Sequence, residues 1–185
     1  MNTENRLNYA WQKVRLTIPN MMALYNRYKP STLDNWSEIV YNNIDINPLL
    51  DTLEELAEVS TDDAREWLQK HLIQDTFNGG QMQDQAIQII ESEGFEASIA
   101  TEDEDKKGID ITAKNGNKKV NIQIKPVSFC RCKSPICTKK QERLKQQAKD
   151  NDILIMTYNN GHFLKSLKNK WLHKINELLE TAWLI

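Results

Sequence analysis

Asp110, Gln123 and Lys125 are the side chains whose types and spacing could do chemistry. The stretch Gly108-Ile109-Asp110-Ile111 is followed, after Asn115-Gly116, by Asn121-Ile122-Gln123-Ile124-Lys125. Both read as short strands in which isoleucines alternate with polar residues, so side chains two apart share a face. A hairpin would then gather a carboxylate, an amide and an ammonium on one face, away from a packed isoleucine face. That trio can hold a divalent cation beside a phosphate, and the chemistry it points to is metal-dependent cleavage of a nucleic-acid backbone. Taken alone, an Asp at a strand end is more often a turn or ion-pair residue, and Gln-Ile-Lys is usually a solvated face. The order of the three, the turn between them and the surrounding charge raise the reading.

The charge is unevenly distributed. Residues 1–105 carry 7 Lys/Arg against 20 Asp/Glu, whereas Lys106 to Lys149 carry 13 Lys/Arg against only Asp110 and Glu142. A basic segment centred on the hairpin suits a polyanion, because neutralising phosphates releases counterions and gives sequence-independent affinity. The alternative is that these lysines pair with the acidic half of the same chain.

The elements that must position the trio follow from periodicity. Apolar residues three and four apart predict helices over the first ~77 residues, through Leu7, Ala10, Trp11 and Val14 and through Trp36, Ile39 and Val40, broken at Pro19 and Pro30. Asn47-Pro48 opens another, and Ser60 caps one with acids in its first turn. Gly79-Gly80 reads as punctuation before a helix over Gln81 to Glu93. Strands are expected at 95–101, 109–113 and 119–126, with an acidic turn at 102–105 and a hairpin turn at Asn115-Gly116. A polar loop holding the cysteines, a helix over 139–149, a buried strand over 153–158 and one or two C-terminal helices over 163–183 complete the chain. The expectation is an α/β (α+β) protein: an acidic helical module over 1–77 packed on a core over 78–160, then C-terminal helices over 161–185, one compact domain in all. The five tryptophans are read as core residues.

This order, α-β-β-β-α-β, with an acidic residue on the second strand and an acid-x-lysine on the third, resembles the PD-(D/E)xK nuclease superfamily over the middle 80 or so residues. The words Thr76-Phe77-Asn78-Gly79, Gln83-Asp84-Gln85-Ala86-Ile87, Ala100-Thr101-Glu102-Asp103-Glu104, Gly108-Ile109-Asp110 and Gln123-Ile124-Lys125-Pro126 look most like the MjaI-type family of type II restriction endonucleases. The resemblance implies a restriction-endonuclease-like core with a mixed sheet. It implies Asp110 as the central Mg²⁺ ligand, with Mn²⁺ as a substitute, the Ile124 carbonyl as an extra ligand, and Lys125 as the group that positions the attacking water. Gln123 stands where the family pattern is usually acidic, so it would ligate through a neutral amide oxygen and bind more weakly. The preceding helix often adds another acid. Asp84 and Gln85 are the candidates, Gln85 fits the spelling better, and Glu102, Asp103 and Asp105 could compensate.

Lys107, Ser128, Arg131, Lys133, Lys139 and Lys140 are expected to contact DNA phosphates or base edges. Zinc is not expected at Cys130, Cys132 and Cys137, whose spacing is unlike a C-x₂-C knuckle and which lack an adjacent histidine. Three closely spaced cysteines in a chain without a secretory leader read as reduced thiols. No window approaches the ~18 apolar residues of a membrane span, so a cytoplasmic protein without a membrane partner is expected. The function implied is a Mg²⁺-dependent type II restriction endonuclease that cuts double-stranded DNA as a homodimer, leaving 5′-phosphate and 3′-hydroxyl ends. The alternatives are a monomeric nicking or repair nuclease of the same superfamily and a catalytically silent DNA-binding module.

Overall fold

The computed structural model describes residues 2–131, 135–159, 161–163 and 165–180. The chain divides into two compact units, Met1–Gly80 and Gln81–Ile185.

The first unit is helical: α1 (Thr3–Val14), α2 (Met21–Tyr28), α3 (Leu33–Asn43), α4 (Asn47–Ala57), α5 (Thr61–Leu68) and the opening turns of α6 (Asp75–Ser92). Side chains of Asn2, Asn20, Thr32 and Ser60 accept the orphan N–H groups at four of the starts. Pro19 and Pro30 fall between helices, as their missing N–H requires. Trp36, Tyr25, Leu53, Val40 and Leu72 are fully enclosed in the core of this unit. Between α5 and α6 the backbone widens into a π-helical stretch, Gln69–Gln74, and the Trp36 indole N–H donates to the Ile73 carbonyl there (3.1 Å). Trp67 is buried and Trp11 packs on it, while Trp183 lies outside the described residues.

Gly79-Gly80 does not end a helix. α6 runs through both glycines, and the reason for one of them is packing: a Cβ on Gly80 would overlap the Tyr25 ring. Glycine here admits a neighbour rather than a turn.

The second unit holds a four-stranded sheet of β1 (Glu96–Ile99), β2 (Ile111–Asn115), β3 (Lys118–Pro126) and β4 (Ile153–Tyr158), in the order β1-β2-β3-β4. β1, β2 and β3 are antiparallel neighbours and β4 joins β3 in parallel, so the sheet is mixed. The β2–β3 hairpin closes through Gly116-Asn117, with φ +59° at Gly116, the first of its two loop residues. Ile111, Ala113, Val120, Ile122, Ile124 and Met156 form one core with Met82, Ala86 and Ile90 of α6 and Trp171 and Ile175 of α10 (Lys165–Glu180). On the opposite face Ile153 packs with Ile109 and with Ala148 of α9 (Pro135–Asp150). Two short helices lie within the expected order. The acidic turn is a helix, α7 (Glu102–Asp105), because Thr101 and Glu104 form a reciprocal capping box. The start of the cysteine-bearing loop is also a helix, α8 (Val127–Arg131), and α9 begins upstream of residue 139. Among the described residues no helix is long and apolar enough to cross a membrane.

Candidate active site

The alternation of β3 sends Val120, Ile122 and Ile124 into the core with α6 and α10, so Asn121, Gln123 and Lys125 take the other face. The register Ile111↔Ile122 sets Asp110 opposite Gln123 on that face. Asp110 lies one residue before β2 but is held in the sheet on both sides: its N–H donates to the Ile122 carbonyl (2.8 Å) and its carbonyl accepts from the Ala100 N–H (3.1 Å). Its side chain then takes over where the β2 ladder ends. Oδ2 accepts from the Ile124 N–H at 2.6 Å and lies 3.9 Å from the Lys125 ammonium. Asp110, Gln123 and Lys125 therefore lie on one face of the sheet.

Electrostatics at this face is governed by burial. Only 14% of the Asp110 side chain is exposed. Burial pushes its carboxyl above the ordinary range, against the pull of Lys125 and of the Ile124 N–H, and the Asp105 carboxylate adds to the rise. Gln123 is more enclosed still, at 6% exposed, yet its amide makes no hydrogen bond among the described residues. The amide tip keeps some contact with solvent, so a ligand arriving at this face can reach it. Gly108 sets one wall. Its φ of +84° belongs to glycine, and the Gln123 Nε2 lies 3.1 Å from the point a Cβ there would occupy.

The residues present fit a hard cation. Asp110 Oδ1 has no hydrogen-bond partner among the described residues, and the Gln123 amide is unpartnered. The Ile124 carbonyl lies along the same edge of β3 as the N–H bonded to Asp110, because the two groups of one strand residue point the same way. Mg²⁺ takes a few such oxygens and keeps several waters. Among the described residues no group of three His, Cys, Asp or Glu side chains gathers, so the set rests on a single carboxylate and neutral oxygens.

The other expected residues are placed as follows. Gln85 and Asp84 are half-buried on α6, and no described hydrogen bond joins Gln85 to the trio. The enclosed polar residue of that helix is Gln83, 7% exposed, whose side-chain oxygen lacks a hydrogen-bond partner among the described residues. The sequence reading did not single it out, and the spacing Gln83-Ala86-Ile90, three and seven apart, is the signal that marks it. Among the acids of α7, Glu102 and Asp103 pair with Lys106, at 3.1 and 3.4 Å. Glu104 is held by Lys119 and by the Thr101 N–H, which bring its carboxyl down to about 2. Asp105 is the one whose charge reaches Asp110. Lys107, Ser128, Lys139 and Lys140 are exposed. The side chains of Arg131 and of Cys130, Cys132 and Cys137, and the whole of Lys133, lie outside the described residues. Within the basic segment Lys106, Lys119 and Lys125 pair with carboxylates, whereas Lys107, Lys139, Lys140 and Lys149 have no described ion pair. His162 sits in a tight turn, exchanging backbone hydrogen bonds with Asn159 (3.0 Å each).

A mixed four-stranded sheet with helices on both faces is a restriction-endonuclease-like α+β architecture. The chain belongs to the MjaI restriction endonuclease family, whose model matches residues 4–163, nearly all of the first unit and most of the second. Nuclease action on DNA is thus its class of function. No curated protein and no solved structure matches the chain.

Proposed function

We propose that the protein is a Mg²⁺-dependent type II restriction endonuclease that hydrolyses phosphodiesters in duplex DNA at a short specific sequence, leaving 5′-phosphate and 3′-hydroxyl ends. The observation that carries this reading is the half-open face on which Asp110, the unpartnered Gln123 amide and Lys125 converge. Mg²⁺, when bound, supplies Lewis-acid polarisation of the scissile phosphate. The Asp110 carboxylate, the Gln123 amide oxygen and the Ile124 carbonyl would hold it. Lys125, 3.9 Å from Asp110, orients the attacking water and offsets negative charge as it develops on the phosphate. The Ile124 N–H keeps the carboxylate from rotating out of the face.

The exposed residues Lys107, Ser128, Lys139 and Lys140 form the DNA surface, and the sequence adds Arg131 and Lys133 as expected DNA contacts. A homodimer matches a palindromic site, since a two-fold axis places one copy of the trio on each strand. The test is incubation of plasmid DNA with the protein and Mg²⁺, Mn²⁺ or EDTA, followed by run-off sequencing of the products. Discrete ends at one sequence, lost with EDTA and in Asp110→Ala, support the reading. Unchanged cutting by Asp110→Ala or Lys125→Ala sinks the site assignment.

The single carboxylate among the gathered donors favours one second reading, a silent DNA-binding module. Under that reading no metal yields cuts while the protein still retards DNA on a gel.

A further inference from the structure

A sheet that does not close has two edges, and an open edge offers unpaired N–H and C=O groups to any strand that can reach it. The edge at β1 is guarded: it is only four residues long and carries the exposed Glu96. The edge at β4 has no such device. Ile153-Leu154-Ile155-Met156-Thr157-Tyr158 holds no charge, no proline and no glycine, and among the described residues its one neighbour in the sheet is β3. The chain turns back at Asn159 and His162, but that bridge lies past the strand's end. Open apolar space flanks the strand. At its start a cavity of about 560 Å³ lies among Ile153, Leu154 and Leu178, and Leu178 is 45% exposed. Beside its middle a smaller one, about 80 Å³, lies among Ile155, Leu144 of α9 and Phe129 of α8.

We propose that β4 is the surface through which two copies of the chain join: β4 of one pairs antiparallel with β4 of the other about a two-fold axis, and the two sheets run on as one. This rests on the reading of the protein as a homodimeric nuclease and names the surface that makes the dimer. Self-pairing suits the strand because no charge meets its own copy across the ladder, where like charges would repel. The size suits it as well. Six residues span about 20 Å, and a helix layer on each face adds about 10 Å apiece. The flank is then a patch of roughly 600 Å², the lower end of what each partner gives to a stable dimer. A two-fold axis perpendicular to the sheet turns neither face over, so both copies of the trio lie on the same side. Gln123 is in register with Ile155, in the middle of β4, so strands paired over their full length set the two trios nearly level. Three strand spacings, about 14 Å in all, separate β3 from its copy, and one duplex lying across that face meets both sites.

The test is analytical ultracentrifugation of the full chain, without DNA or metal, over a range of concentrations, with amide hydrogen exchange followed on peptides covering 153–158. A species of twice the chain mass of 21.5 kDa is expected. The 153–158 amides should exchange about 10-fold more slowly as it fills. Leu154→Lys puts on this edge the kind of charge that guarded edges carry, and Leu178→Glu places one on the exposed flank. Each is expected to return the chain to its single mass. Melting temperatures check that the variants fold, and Leu178, being exposed, keeps the test open where Leu154→Lys does not fold. A wild-type chain that stays single at every concentration overturns the proposal. So does a dimer that the folded variants keep and in which 153–158 exchange at one rate throughout. Plasmid cleavage by the same wild-type samples separates this failure from failure of the nuclease reading. A single chain that cuts DNA leaves the nuclease standing and removes the interface, whereas a β4-paired dimer that never cuts keeps the interface and removes the nuclease.

Discussion

Asp110 combines a structural bond with an electrostatic burden, and the two separate in a variant. Asn at this position keeps an oxygen to accept the Ile124 N–H while removing the buried charge. The folded carboxyl holds its proton more tightly than the unfolded one, burial being the leading cause. The wild-type fold therefore loses stability as pH rises through the ordinary carboxylate range and on through the raised folded value. Asp110→Asn is expected to melt higher than wild type at pH 7 without metal, with the gap closing below about pH 4, where the unfolded carboxylate is protonated as well. Adding Mg²⁺ should raise the wild-type melting temperature and leave that of Asp110→Asn unmoved. A variant that melts lower than wild type at pH 7 would show that the charge is compensated within the fold. Gly108 bears on the same group from outside. Ala there meets both the left-handed backbone and the Gln123 amide at 3.1 Å. A loss of about 1–2 kcal/mol is expected from the backbone alone, and Mn²⁺ binding should weaken with it, as denaturant melts and calorimetry would show.

Helix α6 shows how far an element can be read from its letters. Its apolar stripe through Met82, Ala86 and Ile90 was legible, but Gly79-Gly80 read as a break, because two glycines are costly in a helix and nothing local records a ring packed against one of them. The two glycines should accordingly respond in opposite senses. Gly79 has nothing within 4 Å of a Cβ position, so Gly79→Ala should stabilise by roughly 0.5–1 kcal/mol. Gly80→Ala must displace Tyr25 and is expected to cost about 1–3 kcal/mol, read from urea melts of the two variants. The same limit explains α7, where four consecutive acids suggested a turn and the Thr101–Glu104 capping box made a helix. The β2–β3 hairpin was legible because period-two alternation and a glycine turn are local signals. The approach of the Gln147 side chain to Gly108 was not, since it depends on how α9 lies across the sheet.

At the scale of the whole chain the decisive property is charge placement. The 13 basic residues between Lys106 and Lys149 could have been absorbed by the 20 acids upstream. Among the described residues Lys106 pairs with Glu102 and Asp103, Lys119 with Glu104, and Lys125 with Asp110, all acids of the stretch 102–110. Lys139 and Lys140 at the exposed start of α9, and Lys107 after α7, keep their charge available to solvent. Each that neutralises a phosphate releases about 0.9 of a counterion from B-DNA, and the logarithm of affinity then falls with the logarithm of salt by that slope per contact. Lys139→Ala with Lys140→Ala should weaken binding to cognate and unrelated duplexes alike, and should flatten the salt slope by up to about 2. Fluorescence anisotropy with labelled DNA in Ca²⁺, between 50 and 200 mM salt, measures both. A slope identical to wild type would mean that α9 faces away from the nucleic acid and that the basic segment serves the fold alone. A change confined to one DNA sequence would instead make these two lysines readers of base edges.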